Sequence, residues 1–191
     1  MNQPPLILAS KSPRRVDLLR QMGLEFQVIP GSATEIHTEE LSAGELAQIN
    51  AYRKARAVSK QFPDALVLGV DTLVALGTKV FGKPSTLAEA RRMLAALQGQ
   101  THQVITGVCL IFLRGHHQIL FFEQTDVTFR RLTMKQIESY HAQVNPLDKA
   151  GAYGIQEKGD LIVESISGSF TNVVGLPLER LRVELDQFEK L

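Results

Sequence analysis

The segment Ala9-Ser10-Lys11-Ser12-Pro13-Arg14-Arg15 brings hydroxyls and two guanidinium groups to the start of a helix. Arginines in a first helical turn are electrostatically misplaced, because the macrodipole there is already positive. They gain a purpose when a strongly negative group docks. Free N–H groups, the Ser12 hydroxyl and the forks of Arg14 and Arg15 then make a phosphate site. Asp71 is the second chemical feature. It follows the apolar run Leu66-Val67-Leu68-Gly69-Val70. A carboxylate in a core strand is costly unless it is paired or bound to a metal. Asp71 therefore reads as a metal ligand or a general base. Glu35, in a polar loop, can supply a second carboxylate near a divalent cation. Lys54 stands on a helix between small Ala51 and Ala55. In Gly82-Lys83-Pro84 the proline holds Lys83 extended and presents one ammonium.

The run Asp148-Lys149-Ala150-Gly151-Ala152-Tyr153-Gly154-Ile155-Gln156 has room for a ligand against its backbone. Asp148 and Lys149 put opposite charges at its mouth. Gln156 offers one donor and one acceptor to a base edge. The segment Gly168–Pro177 leads into the last helix and reads either as a closure over a ligand or as a plain loop-to-helix junction.

Composition narrows the class. The chain has 191 residues, 44% of them apolar, and a net charge of +1. This suits one domain with a packed core. Near-neutrality, the absence of tryptophan and the lack of an aromatic-rich basic strand argue against nucleic acid as a partner. The single cysteine, Cys109, lies in an apolar run and reads as a buried small hydrophobe. No cysteine cluster offers a zinc site. Neither a signal peptide nor a membrane-spanning window is legible, so no membrane partner and a cytoplasmic location are expected. The glycine fingerprints of P-loop and dinucleotide-binding folds are absent, which speaks against a kinase or a dehydrogenase.

Strands and helices alternate along the chain. Leu6–Ala9 and Phe26–Ile29 read as strands around a helix from Pro13 to Met22, with Ser12 as N-cap and Gly23 past its end. Val16, Leu19 and Met22 form its apolar stripe. Ser42 and Glu45 make a capping box for a helix through about Phe62, with Leu46, Ile49 and Ala57 inward. Ala65–Val70 is a core strand that Asp71 interrupts, with Thr72–Ala75 continuing extended. Gly77 suits a turn to Lys79–Phe81. Thr86 and Glu89 make another capping box. Gln103–Leu113 and Gln118–Arg130 form a hairpin, with His116 and His117 solvated near its tip. Thr133 and Gln136 cap a helix through about Val144. Residues 150–156 and 161–166 read as short strands, and Pro177–Phe188 as a final helix. This order predicts an α/β fold with a mixed, twisted central sheet flanked by helices, in two lobes about a central cleft.

Taken together, these residues resemble the Maf family of nucleoside triphosphate pyrophosphatases. The matching segments are Ala9–Arg15, Val70-Asp71-Thr72, Gly82-Lys83-Pro84, Asp148–Gln156 and Val174-Gly175-Leu176-Pro177, in the family's order. The resemblance implies hydrolysis of a nucleoside triphosphate to monophosphate and pyrophosphate, with Mg²⁺ or Mn²⁺ held by Asp71 and Glu35. It implies Asp71 as proton acceptor. It also implies a phosphate rim made by Ser12, Arg14, Arg15, Lys54 and Lys83, with Lys149 beside the substrate. Arg14, Thr72 and Gln156 match the pattern of the branch acting on dTTP and UTP, and a homodimer is the usual assembly. Val70 departs from the alanine common in that branch. Two other readings stand beside it: the 7-methyl-GTP branch, and a nucleotide-binding regulator of septum formation with incidental hydrolysis.

Overall fold

The computed structural model describes residues 4–188. Its elements run β1 (Leu6–Leu8), α1 (Pro13–Gln21), β2 (Phe26–Val28), α2 (Ala43–Ser59), β3 (Leu66–Leu76), β4 (Lys79–Phe81), α3 (Leu87–Leu97), β5 (Thr101–Phe112), β6 (His117–Phe129), α4 (Met134–His141), β7 (Val163–Ser167), α5 (Phe170–Val174) and α6 (Leu178–Phe188). The strands form one mixed sheet in the order β2-β1-β3-β5-β6-β7, with β4 added to β3. β1 runs parallel to β2 and β3, and every other pairing is antiparallel.

Alternation along β3 distributes the core. Leu66, Leu68 and Val70 point to the face covered by α1 and α6, where they pack with Leu18, Leu19 and Leu181. Further along the same face, Val74 joins a second cluster with Phe81, Leu94, Val104 and Tyr140. Thr72 lies between the two clusters, so the lobes expected from sequence meet at this residue. The opposite face packs on α2, through Val67 against Ala51 and Ala55, and through Leu73 and Ala75 against Leu46 and Ala47.

β3 is one continuous strand through Asp71, not two pieces. Only its outer edge is broken. β1 pairs with Leu66–Leu68 and β4 with Val74–Leu76. Between those partners the edge of β3 is open, and the cleft enters the sheet there.

Several expectations need correction. The buried stripe of α2 is Leu46, Ala47, Asn50, Ala51, Ala55 and Val58, with Ile49 and Ala57 only half-buried. Small residues face the sheet because the helix lies so close to it. In α1, Leu18 and Leu19 are the buried residues, with Val16 and Met22 at the rim. At α3, Thr86 caps the Glu89 amide, but the Glu89 carboxylate bonds Ser85 instead of closing the box. Residues 150–156 form no strand. Ala150–Ala152 is a 3₁₀ turn in which Gly151 and Ala152 take φ of 69° and 65°, a left-handed conformation that no strand accommodates. α4 stops at His141, and the segment leading into the last helix folds a short helix of its own, α5, where a junction without regular structure was one of the two readings. The capping boxes at Ser42 and Thr133 are both formed.

Candidate active site

A cleft of about 450 Å³ opens at the gap in the sheet. Its lining includes Ser12, Arg14, Arg15, Glu35, Lys54, Asp71, Thr72, Lys83, Lys149 and Gln156, from segments far apart in sequence. All ten candidate residues therefore reach one cavity.

Asp71 and Thr72 are consecutive in β3 and point to opposite faces. Both reach the cleft because the strand edge between them is open. The Val70 carbonyl at that edge accepts from Arg15 Nη1 at 3.1 Å and from Lys54 Nζ at 3.5 Å. One cation thus closes the edge from each face.

On the α2 face, Asp71 is 4% exposed. Its Oδ1 accepts from Lys54 Nζ at 2.6 Å, and its Oδ2 from Asn50 Nδ2 at 3.3 Å. Lys54 also donates to Glu35 Oε1 at 2.7 Å. Burial raises the Asp71 carboxyl above its ordinary value; Lys54 opposes the rise and Glu35 adds to it. Burial would raise Glu35 too, but the hydrogen bond and charge of Lys54, helped by Lys83 and His37, hold it below its ordinary value. Two carboxylates of different proton affinity thus share one ammonium.

Two glycines make this contact possible. Gly69 precedes Asp71 by two residues, and Gly107 is its cross-strand partner. A Cβ on Gly69 would stand 2.6 Å from the Ala55 nitrogen, and one on Gly107 2.6 Å from the Gln48 nitrogen. Only hydrogen at both positions lets α2 approach closely enough for Lys54 to touch Asp71.

On the other face, Arg15 is anchored more than displayed. Its Nε donates to the Gly175 carbonyl at 2.9 Å, Nη1 to Ser10 Oγ at 3.1 Å, and Nη2 to Thr72 Oγ1 at 2.8 Å. Burial pulls its guanidinium down to about 10, with Asp71 opposing and Arg14 assisting. It stays charged at neutral pH. Because Arg15 only donates, Thr72 must accept. Thr106 Oγ1 donates to the Asn172 carbonyl at 3.2 Å, so the 3.0 Å contact between the two threonines carries the Thr72 proton. Thr72 therefore has only a lone pair left for a ligand.

Arg14 donates to the Asp148 carboxylate at 2.8 Å and to the Asp148 carbonyl at 3.1 Å. Lys149 is 4% exposed and spends its ammonium on Asn145 O, Asp148 Oδ1 and Glu157 Oε1, at 2.8, 2.8 and 3.0 Å. It braces Asp148, which in turn holds Arg14. Ser12 occupies the N-cap without a side-chain capping bond, and Lys83 and Gln156 are exposed at the cleft. Asn50, Gly69, Gly107 and Thr106 complete the site, and sequence reading did not single them out for it. Glycine inside two strands was the available signal for two of them.

Residues 5–188 match the family model of Maf-like protein. The chain belongs to the Maf family. This Maf chain is 49% identical to a dTTP/UTP pyrophosphatase of Symbiobacterium thermophilum, over 96% of this chain and 93% of the relative. It is 44% identical to a dTTP/UTP pyrophosphatase of Bacillus cereus, over 98% of this chain and 91% of that one. Among solved structures, a HAM1 protein from Coxiella burnetii matches with a TM-score of 0.44 and 20% identity, covering 67% of this chain and 74% of that one. No described helix is long and apolar enough to cross a membrane.

Proposed function

We propose that this Maf chain hydrolyses dTTP and UTP to the nucleoside monophosphate and pyrophosphate. The observation that carries the reading is a buried carboxylate, Asp71, opening into a cleft rimmed by cations. The names of the relatives at 49% and 44% identity supply the substrate class. The triphosphate lies along Ser12, Arg14, Lys54 and Lys83, with Arg15 and Lys149 supporting that rim from behind.

Asp71 and Glu35 would hold Mg²⁺ or Mn²⁺. Their hard carboxylate oxygens already converge on one cation, Lys54. Among the described residues no group of three or more His, Cys, Asp or Glu side chains is placed to hold a metal. This fits an ion that takes one or two carboxylates and completes its shell with phosphate oxygens and water. Such an ion, when bound, supplies charge neutralisation and a water of lowered pKa. The chain's own groups do the rest. Asp71 orients the attacking water or accepts its proton. The water oxygen joins the α-phosphorus, the α–β bridging bond breaks, and pyrophosphate leaves. Lys54 and Lys83 stabilise the charge that grows on the departing oxygens. Thr72 accepts from a base N–H, which suits the imide N3–H of uracil and thymine, and Gln156 meets the adjoining carbonyl. A homodimer is the assembly that the family resemblance implies.

The test is pyrophosphate release from dTTP, UTP, CTP and 7-methyl-GTP, with and without Mn²⁺. Preference for dTTP and UTP is expected. Preference for 7-methyl-GTP overturns the branch, and tight binding without release favours the regulatory reading.

A further inference from the structure

Asn50 is 1% exposed, and its amide is spent entirely on other site elements. Its Oδ1 accepts from the Ile36 N–H at 2.7 Å. Its Nδ2 donates to the Ile36 carbonyl at 3.1 Å and to Asp71 Oδ2 at 3.3 Å. It thus pairs with the residue next to Glu35 as a neighbouring strand would, and reaches Asp71 with its second N–H. Lys54 stands one helical turn further along α2 and holds the other oxygen of Asp71 together with Glu35. Asn50 and Lys54, at i and i+4, share one face of the helix.

The segment bearing Glu35 has no regular structure between β2 and α2. Nothing in its own backbone ladder fixes Glu35 beside Asp71. A buried amide that satisfies both backbone groups of Ile36 supplies that fix. A buried polar side chain without such partners would be strongly disfavoured.

We infer that Asn50 is a positioning residue of the active site, which fixes the Glu35 segment and the Asp71 carboxylate in one geometry through a single amide. The inference rests on the proposed role of Asp71 and Glu35 in hydrolysis.

Two variants separate the contacts. Asn50→Ala removes all three hydrogen bonds. Asn50→Asp keeps the shape and the acceptor for the Ile36 N–H, but loses both donations and sets a like charge against Asp71. Each is measured for kcat and KM with UTP, for thermal midpoint, and for hydrogen exchange at the Ile36 amide. In Asn50→Ala, Ile36 exchange should quicken by roughly 10-fold or more, and kcat should fall on the order of 100-fold, the scale of an ångström-sized misplacement. KM should stay within about threefold, because the phosphate rim is untouched. In Asn50→Asp, Ile36 protection should persist while kcat still falls by at least about 10-fold. Unchanged Ile36 exchange in Asn50→Ala, or kcat within threefold of wild type in either folded variant, overturns the inference. A kcat loss that merely follows the folded fraction does so as well. If the wild type releases no pyrophosphate, the functional reading fails, whereas the exchange data still decide whether Asn50 fixes the segment.

Discussion

Gly69→Ala tests whether the closeness of α2 to the sheet is what makes the site. An added Cβ would stand 2.6 Å from the Ala55 nitrogen and 2.8 Å from the Ala55 Cβ, with the Ala51 carbonyl closer still. Ordinary contact begins near 3.4 Å. The helix must therefore retreat by on the order of 1 Å, or the strand must bow by as much. The 2.6 Å contact between Lys54 and Asp71 then lengthens, and the 3.3 Å contact from Asn50 leaves hydrogen-bond range. Overpacking of this kind costs about 1–3 kcal/mol. In a domain of this size each kilocalorie lowers the melting temperature by about 2–4 °C. A misplacement of that size at a reacting group costs roughly 100-fold in rate. Activity should therefore fall far more than stability explains. Circular-dichroism melting and pyrophosphate release on the same preparation read the two losses separately. A Gly69→Ala protein with wild-type kcat would refute the reasoning, since α2 could then stand back without consequence.

Two further outcomes follow from buried groups. His102 is 1% exposed, and burial lowers its pKa from 6.5 to about 4. Its neutral form is the folded one, so its contribution is fully present above pH 6.5 and is lost as pH falls toward 4. The loss should reach about 3 kcal/mol. Urea unfolding from pH 7 to pH 4 measures it, and His102→Phe should show a correspondingly shallower decline. Burial also pushes the Cys109 thiol up to about 12. At pH 8 it should react with a thiol reagent only after unfolding, and rapid labelling of the native protein would contradict its burial.

The sequence made the chemistry more legible than its supports. Asp71 in an apolar strand and paired arginines at a helix start are locally improbable, so each announces a function on its own. Both lie where expected, on the cleft. Arg15 and Lys149 read from sequence as charges toward substrate, but both are spent within the protein. Arg15 is spent on Val70, Thr72 and Gly175 from remote segments, which no local pattern reveals. Lys149 is spent on its chain neighbours Asn145, Asp148 and Glu157, which the turn at residues 150–152 brings round it. Asn50 and Thr106 are unremarkable in their neighbourhoods, and their importance comes from what the fold sets against them. The strand expected at 150–156 failed because the small residues there serve left-handed turns, and composition alone does not distinguish a turn from a crossing. The inward face of α2 was misread for a related reason. Ile49 is the larger hydrophobe, but contact with Gly69 and Gly107 selects alanines instead.

The most direct test is Asp71→Asn with UTP and Mn²⁺, with product identified as pyrophosphate or inorganic phosphate. The carboxylate in the sheet gap should be indispensable: pyrophosphate release should fall by roughly 1000-fold, with the protein still folded. Turnover within a few-fold of wild type would place the chemistry on some other group.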